Sequence, residues 1–178
     1  MMKDLIKPIA VLAVAAALVG GARFGLAGTA AANAEAEQNK MMSVLLPGSA
    51  AFVPEEYDGE DENITAVYKG DTGYVVETLT DGYAGGIRLL VGVDNEGTVT
   101  GVVVRALTET FGLGHEALTD TAFLSHFLGT AGEAAVGEDV DALTGATVTS
   151  KAIAKGVNSA AAFVTGADVS SSATEWGG

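Results

Sequence analysis

Four stretches between Ile64 and Thr108 do most to limit what this chain can fold into. Ile64–Tyr68, Tyr74–Thr80, Ile87–Val93 and Val99–Thr108 are rich in Val, Ile, Tyr and Thr, residue types that pack well on a pleated surface. Parallel neighbours would need a crossover of a dozen or more residues, and the connections here are far shorter. Antiparallel pairing follows, with Asp94-Asn95-Glu96-Gly97 as a hairpin loop whose glycine suits a positive φ. Helical patterns come afterwards, over Ala117–Leu128 and again beyond Thr147. In the second, Ile153, Val157, Ala160, Ala161 and Val164 share one stripe while Lys151, Lys155 and Asn158 lie off it. Phe52–Asn63 is acidic and irregular and reads as a linker or surface loop. The expected fold class is α+β, an antiparallel sheet with flanking helices and no internal repeats.

Residues Ile6 to Leu26 are almost wholly apolar, interrupted only by Lys7 near the start, Pro8 and Arg23 near the end. A bilayer-spanning helix needs about 20 such residues, and a proline in the first turn gives up a donor that would be unpaired anyway. A competing reading is a cleaved secretory signal, since Lys3 and Lys7 precede the run and Ala30-Ala31-Ala32-Asn33-Ala34 offers small-residue cleavage sites. A retained transmembrane helix is the expectation adopted here. Either way the basic residues stay cytoplasmic and the remainder faces outward. Good helix formers continue to Leu45 before Pro47-Gly48 stops them. The expected organisation is an anchor at 1–28, a helical stalk at 29–48, one domain at 49–165 and a tail at 166–178.

Of the chain's formal charge of −14, the first 28 residues contribute +2, so the rest carries −16. Nucleic acid is an unsuitable partner for that sign, and the acidity is accounted for by solubility. The absence of cysteine excludes a disulfide framework, thiolate clusters and a thiol nucleophile, so redox chemistry would have to ride on an organic cofactor. His115 and His126 form no helical His-x-x-x-His pair, and no metal site is expected. Neither a Rossmann fingerprint nor a P-loop is present, because Gly112-Leu113-Gly114 lacks the spacing those motifs need.

The start of the last helix carries the chemistry. Asp141-Ala142-Leu143-Thr144-Gly145-Ala146-Thr147-Val148-Thr149-Ser150 is a hydroxyl-rich turn opening directly into it. About four backbone N–H groups at a helix start lack internal partners and sit at the positive end of the macrodipole, which suits an anion. Taken alone, Thr and Ser there are ordinary N-caps.

Asp141-x-x-Thr144-Gly145-Ala146-Thr147 resembles the covalent flavinylation motif of the FMN-binding domain family found in the Rnf and Na+-translocating NADH:quinone oxidoreductase complexes. Two further segments agree in order. Asp81 to Asp94, with Gly82-Tyr83, Gly85-Gly86 and Val91-Gly92-Val93-Asp94, resembles the family's Gly-Tyr and Val-Gly-x-Asp strand pattern. Glu109-Thr110-Phe111-Gly112-Leu113-Gly114 resembles its Glu-Thr-Pro-Gly-Leu-Gly loop, with Phe111 in place of the usual proline; that change frees φ and restores a donor but removes no reactive group. With the anchor included, the similarity is greatest to the G subunit of Rnf.

The resemblance implies FMN esterified through its phosphate to Thr147 by a flavin transferase that uses FAD. Asp141, Thr144, Gly145 and Ala146 would frame the attachment, and Tyr83, Gly85, Glu109, Thr110 and Leu113 would lie around the flavin. No residue is assigned a catalytic role. The glycines near Tyr83 admit a second reading as simple turn residues, and Lys151 and Lys155 read as a solvated face that could also attract the phosphate. The implied function is a membrane-anchored electron relay, a redox-active subunit rather than a complete enzyme. It would serve an Rnf-type complex coupling ferredoxin:NAD oxidoreduction to Na+ or H+ translocation, with other subunits as partners and the soluble domain extracytoplasmic. The alternatives are the FMN subunit of a Na+-translocating NADH:quinone oxidoreductase and a non-redox, membrane-anchored assembly module.

Overall fold

In the computed structural model of the chain, residues 35–107, 120–137, 140–143 and 146–167 are described. The expected anchor and the first part of the stalk lie outside them, as do Glu109, Thr110, Leu113, His115, Thr144, Gly145 and most of the 166–178 tail. Among the described residues no helix is long and apolar enough to cross a membrane. The chain divides into two compact units, Met1–Gln38 and Asn39–Gly178, and the second holds the sheet.

Five strands form that sheet in chain order: β1 (Val53–Glu55), β2 (Ile64–Lys69), β3 (Gly73–Asp81), β4 (Gly86–Asp94) and β5 (Val99–Leu107). Every neighbouring pair is antiparallel, so the sheet is a simple meander, as the short connections require. At the β4–β5 turn the Asp94 carboxylate accepts from the Glu96 and Thr98 amides at 3.0 and 2.8 Å, and Gly97 takes φ +88°. The helices are α1 (35–45), α2 (Thr121–Ser125) and α3 (Thr147–Thr165).

Both faces of the sheet are covered. Side chains alternate along a strand, and here neighbours serve different cores: Val76, Leu89, Val91 and Val104 join Ile153, Val157, Ala160 and Ala161 of α3. Val75 and Leu90 instead join Met42, Leu45 and Leu46 on the opposite face. That is why Leu89-Leu90-Val91 is a continuous apolar run, unlike the apolar and polar alternation of a sheet with one wet face.

Three differences from the sequence-based expectation have physical causes. Phe52–Asn63 is not wholly irregular, because Val53–Glu55 pairs with β2. This edge strand is short and exposed and contains Pro54, so it shows none of the apolar alternation that marks a strand, and an edge tolerates a missing donor. Asn158 belongs inside rather than with the lysines, since its side-chain amide bonds the backbone of Ala134 in both directions, at 3.1 and 3.0 Å, which satisfies it in a buried position. The last turns of the stalk region are part of the domain rather than a spacer: Met42, Leu45 and Leu46 are buried against the sheet.

A pair of glycines makes that docking possible. Gly92 and Gly101 face each other across β4 and β5. A β-carbon at Gly92 would overlap the carbonyl oxygen of Leu45, and one at Gly101 would lie 2.8 Å from the Leu45 Cα. The backbone of α1 therefore rests on bare sheet, and the Thr100 hydroxyl donates to the Leu45 carbonyl at 2.6 Å. Beyond the reach of α1 this face turns polar. The buried carboxylate of Glu77 pairs with Arg88 and, at 3.7 Å, with Arg105, and it accepts from the Thr65 hydroxyl at 3.3 Å.

Candidate functional site

The meander and α3 bring the β3–β4 hairpin tip, the end of β5 and the start of α3 to one end of the domain. Asp81 pairs with Gly86, so Gly82-Tyr83-Ala84-Gly85 caps the β3–β4 hairpin, closed by the Gly82 amide donating to the Gly85 carbonyl at 2.8 Å. Ile87 pairs with Leu107, which delivers the end of β5, and hence the entry to the Glu109–Gly114 segment, to the same edge. Helix α3 starts there too. Its Ala152 carbonyl accepts from the Thr80 hydroxyl at 2.9 Å, Gly156 lies over Thr78 and Leu89, and Thr165 reaches the far hairpin at Gly97.

Buried Thr80 therefore pins the first part of α3 to the strand that carries Tyr83. Thr80→Val keeps the shape and removes the donor, which is expected to cost about 1 kcal/mol. The midpoint of thermal unfolding would fall by about 4 °C, measurable by circular dichroism. An unchanged midpoint would show that this bond contributes nothing.

At the start of α3, Ala146 is the N-cap residue and supplies no side-chain cap. Its methyl group cannot accept a hydrogen bond, so among the described residues no side chain caps the leading amides of the helix. The hydroxyls of this turn are sorted by exposure: Thr147 is exposed, while Thr149 and Ser150 are 1% and 0% exposed. Just upstream, Leu143 and Ala146 are buried and Asp141 is exposed. Lys151 is exposed and Lys155 half-buried, the outward placement that their position off the apolar stripe predicts.

Of the other expected site residues, Tyr83 stands 75% exposed at the hairpin tip, and Gly85 is half-buried beside it. None of Gly82, Gly85 and Gly86 takes a positive φ, so the turn does not need left-handed backbone at these positions. His126 is exposed at the end of α2. Among the described residues no three His, Cys, Asp or Glu side chains are grouped to hold a metal ion. Reading the sequence missed Ser150, whose hydroxyl ties the approach to the helix. The signal available was a hydroxyl three residues after Thr147, on the helix side that must face inward.

A helix start whose N-cap residue supplies no side-chain acceptor, with an exposed hydroxyl as its first residue, fits a phosphate-bearing group, and comparison with known proteins names one. The FMN-binding domain family matches residues 82–162, which contain the hairpin tip, β4, β5 and most of α3. The G subunit of an ion-translocating oxidoreductase complex from Methanosarcina acetivorans is 36% identical over 145 residues, covering 73% of this chain and 77% of that protein. The G subunit of a proton-translocating ferredoxin:NAD+ oxidoreductase complex from Clostridium ljungdahlii is 35% identical, covering 72% of each chain. Its counterpart in a Na+-translocating complex of Acetobacterium woodii is 34% identical, covering 54% of each, so the chain spans about half of that relative. With its FMN-binding domain and these relatives, the chain belongs to the G-subunit family of ion-translocating oxidoreductase complexes.

Proposed function

We propose that the chain is a membrane-anchored electron relay of an Rnf-type complex, carrying FMN as a phosphoester on Thr147. The observation that carries the attachment point is the sorting of hydroxyls in the first turn of α3. Thr147 is exposed beside uncapped amides, whereas Thr149 and Ser150 are closed to any modifying enzyme. In the attachment step the Thr147 Oγ forms a bond to the FMN phosphorus of FAD and the pyrophosphate P–O bond breaks. AMP leaves and the hydroxyl proton is given up, so no oxidant or reductant is consumed. A flavin transferase would supply the machinery, since this chain provides only the acceptor.

Bound FMN supplies the capacity to take up and release electrons, which no side chain of this cysteine-free protein offers. The protein's part is position. The α3 amides and macrodipole favour the phosphate charge, Tyr83 offers a ring at the adjoining hairpin tip, and the β3–β4–β5 end fixes both relative to each other. Electrons would enter and leave through neighbouring subunits of the complex rather than through a small substrate.

The test is intact mass and in-gel fluorescence of the chain produced with an active flavin transferase. One FMN per chain, retained through denaturation, is the expected result. An unmodified mass, obtained while the same cells flavinylate another substrate, would remove the proposal. The extracytoplasmic placement has its own test, because the chain has no native cysteine. Glu96→Cys puts a single thiol at an exposed turn, and a membrane-impermeant maleimide is expected to label it in whole cells or spheroplasts. Labelling only after lysis would put the domain on the cytoplasmic side.

A further inference from the structure

Ser150 is wholly buried, yet its hydroxyl is engaged on both sides. The oxygen accepts the Leu143 amide at 3.0 Å, and the hydroxyl donates to the Ala146 carbonyl at 2.9 Å. The Ser150 amide donates to that same carbonyl at 2.9 Å, and the Ala146 amide donates to the Leu143 carbonyl at 2.9 Å. A serine in a helix commonly bonds back to the carbonyl four residues earlier. Accepting a further amide from outside the helix is the added feature here: it fastens the approach segment to the first turn of α3. Leu143 and Ala146 are themselves buried, so the clamp is seated in the core while Thr147, next in the chain, is exposed.

We infer that Ser150 is a positioning residue for the group carried by Thr147: it holds the root of the tether so that the attached flavin keeps one orientation against the Tyr83 end of the sheet. This rests on Thr147 bearing FMN. A phosphoester leaves several rotatable bonds between the helix and the ring. Play at the root would therefore add directly to play at the ring, and the Leu143 amide, once released, would have to find another acceptor in a buried setting. The inference concerns the carrier after loading, not the loading itself.

The test uses the full-length chain, loaded with FMN and purified in detergent. Ser150→Ala is expected to keep its covalent flavin, to exchange the Leu143 amide about tenfold faster or more as the local opening becomes easier, and to lower the anisotropy of flavin fluorescence. Ser150→Thr restores the hydroxyl and is expected to restore slow exchange and high anisotropy. Exchange as slow as in the wild type would overturn the inference. So would faster exchange with unchanged anisotropy, or a Thr variant that behaves like Ala. If Ser150→Ala fails to fold, Ser150→Cys keeps the volume with a poor acceptor, and unchanged anisotropy in that protein overturns it equally. A wild-type chain without covalent flavin would sink the Thr147 reading and this inference with it, whereas a loaded wild type beside an equally ordered Ser150→Ala would sink this inference alone.

Discussion

Thr147→Ala is expected to yield a folded protein with no covalent flavin at all, while Thr149→Ala stays loaded. The contrast matters more than the loss. Thr147 and Thr149 are two residues apart in one helical turn and share the same chemistry, so a reading based on the motif alone separates them only by position. Exposure separates them physically. Thr147 lies in solvent, so removing its side chain should change stability by no more than about 0.5 kcal/mol. Thr149 is 1% exposed, so its loss is expected to lower stability by about 1 kcal/mol while leaving the acceptor hydroxyl untouched. Thr147→Ser retains an acceptor and is expected to load. In-gel fluorescence and intact mass read the flavin, and thermal unfolding reads the fold. A fluorescent Thr147→Ala protein after denaturation, or a dark but stable Thr149→Ala, would move the attachment elsewhere.

Much of the architecture was legible because the informative signals were local. The four main strands announced themselves by β-branched residues between tight turns, and a meander was the only arrangement such turns permit. That the β3–β4 hairpin tip and the end of β5 meet then follows from topology. In an up-and-down sheet the β3–β4 turn and the end of β5 must share an edge, which places Tyr83 beside the entry to the Glu109 segment. The direction of α3 was not readable in that way. It depends on where the helix lies closest to the sheet, at Gly156 over Thr78 and Leu89, and on the bond from Thr80 to Ala152.

Features that hid from the sequence share one cause: what holds them in place is not marked by any local pattern. Asn158 looked polar and outward because nothing nearby showed that the Ala134 backbone would satisfy it. Ser150 looked like one more hydroxyl of a capping stretch, and its role became visible only with the Leu143 amide in place. Met42, Leu45 and Leu46 recur at helical spacing, but they sit among Gln, Asn, Lys and Ser and read as a solvated rod. What claims them for the domain is a bare patch at Gly92 and Gly101, on two strands much later in the chain.

That patch supports the second large effect. Gly92→Val is expected to destabilise the domain by about 3 kcal/mol or more and to release the segment around residues 39–48 from the sheet. The clash is with main chain, the carbonyl oxygen of Leu45, so no rotamer change can relieve it and α1 itself must move. Movement would uncover Met42, Leu45 and Leu46 together with Val75 and Leu90 beneath them, each worth roughly 1.5–3 kcal/mol of burial. The bond from Thr100 to the Leu45 carbonyl would go with them. Thr100→Val is the matched control, because it removes only that bond and leaves the seat flat, for an expected cost of about 1 kcal/mol. Denaturant unfolding measures both losses, and limited proteolysis shows whether cleavage between residues 39 and 48 rises in the Gly92 variant alone. If Gly92→Val is as stable and as resistant as the wild type, the glycine pair is not what seats the helix. If it behaves as expected, a glycine of the Val-Gly-x-Asp pattern serves to seat residues 39–48 on the sheet, and the flavin end is set by other residues of the same strands.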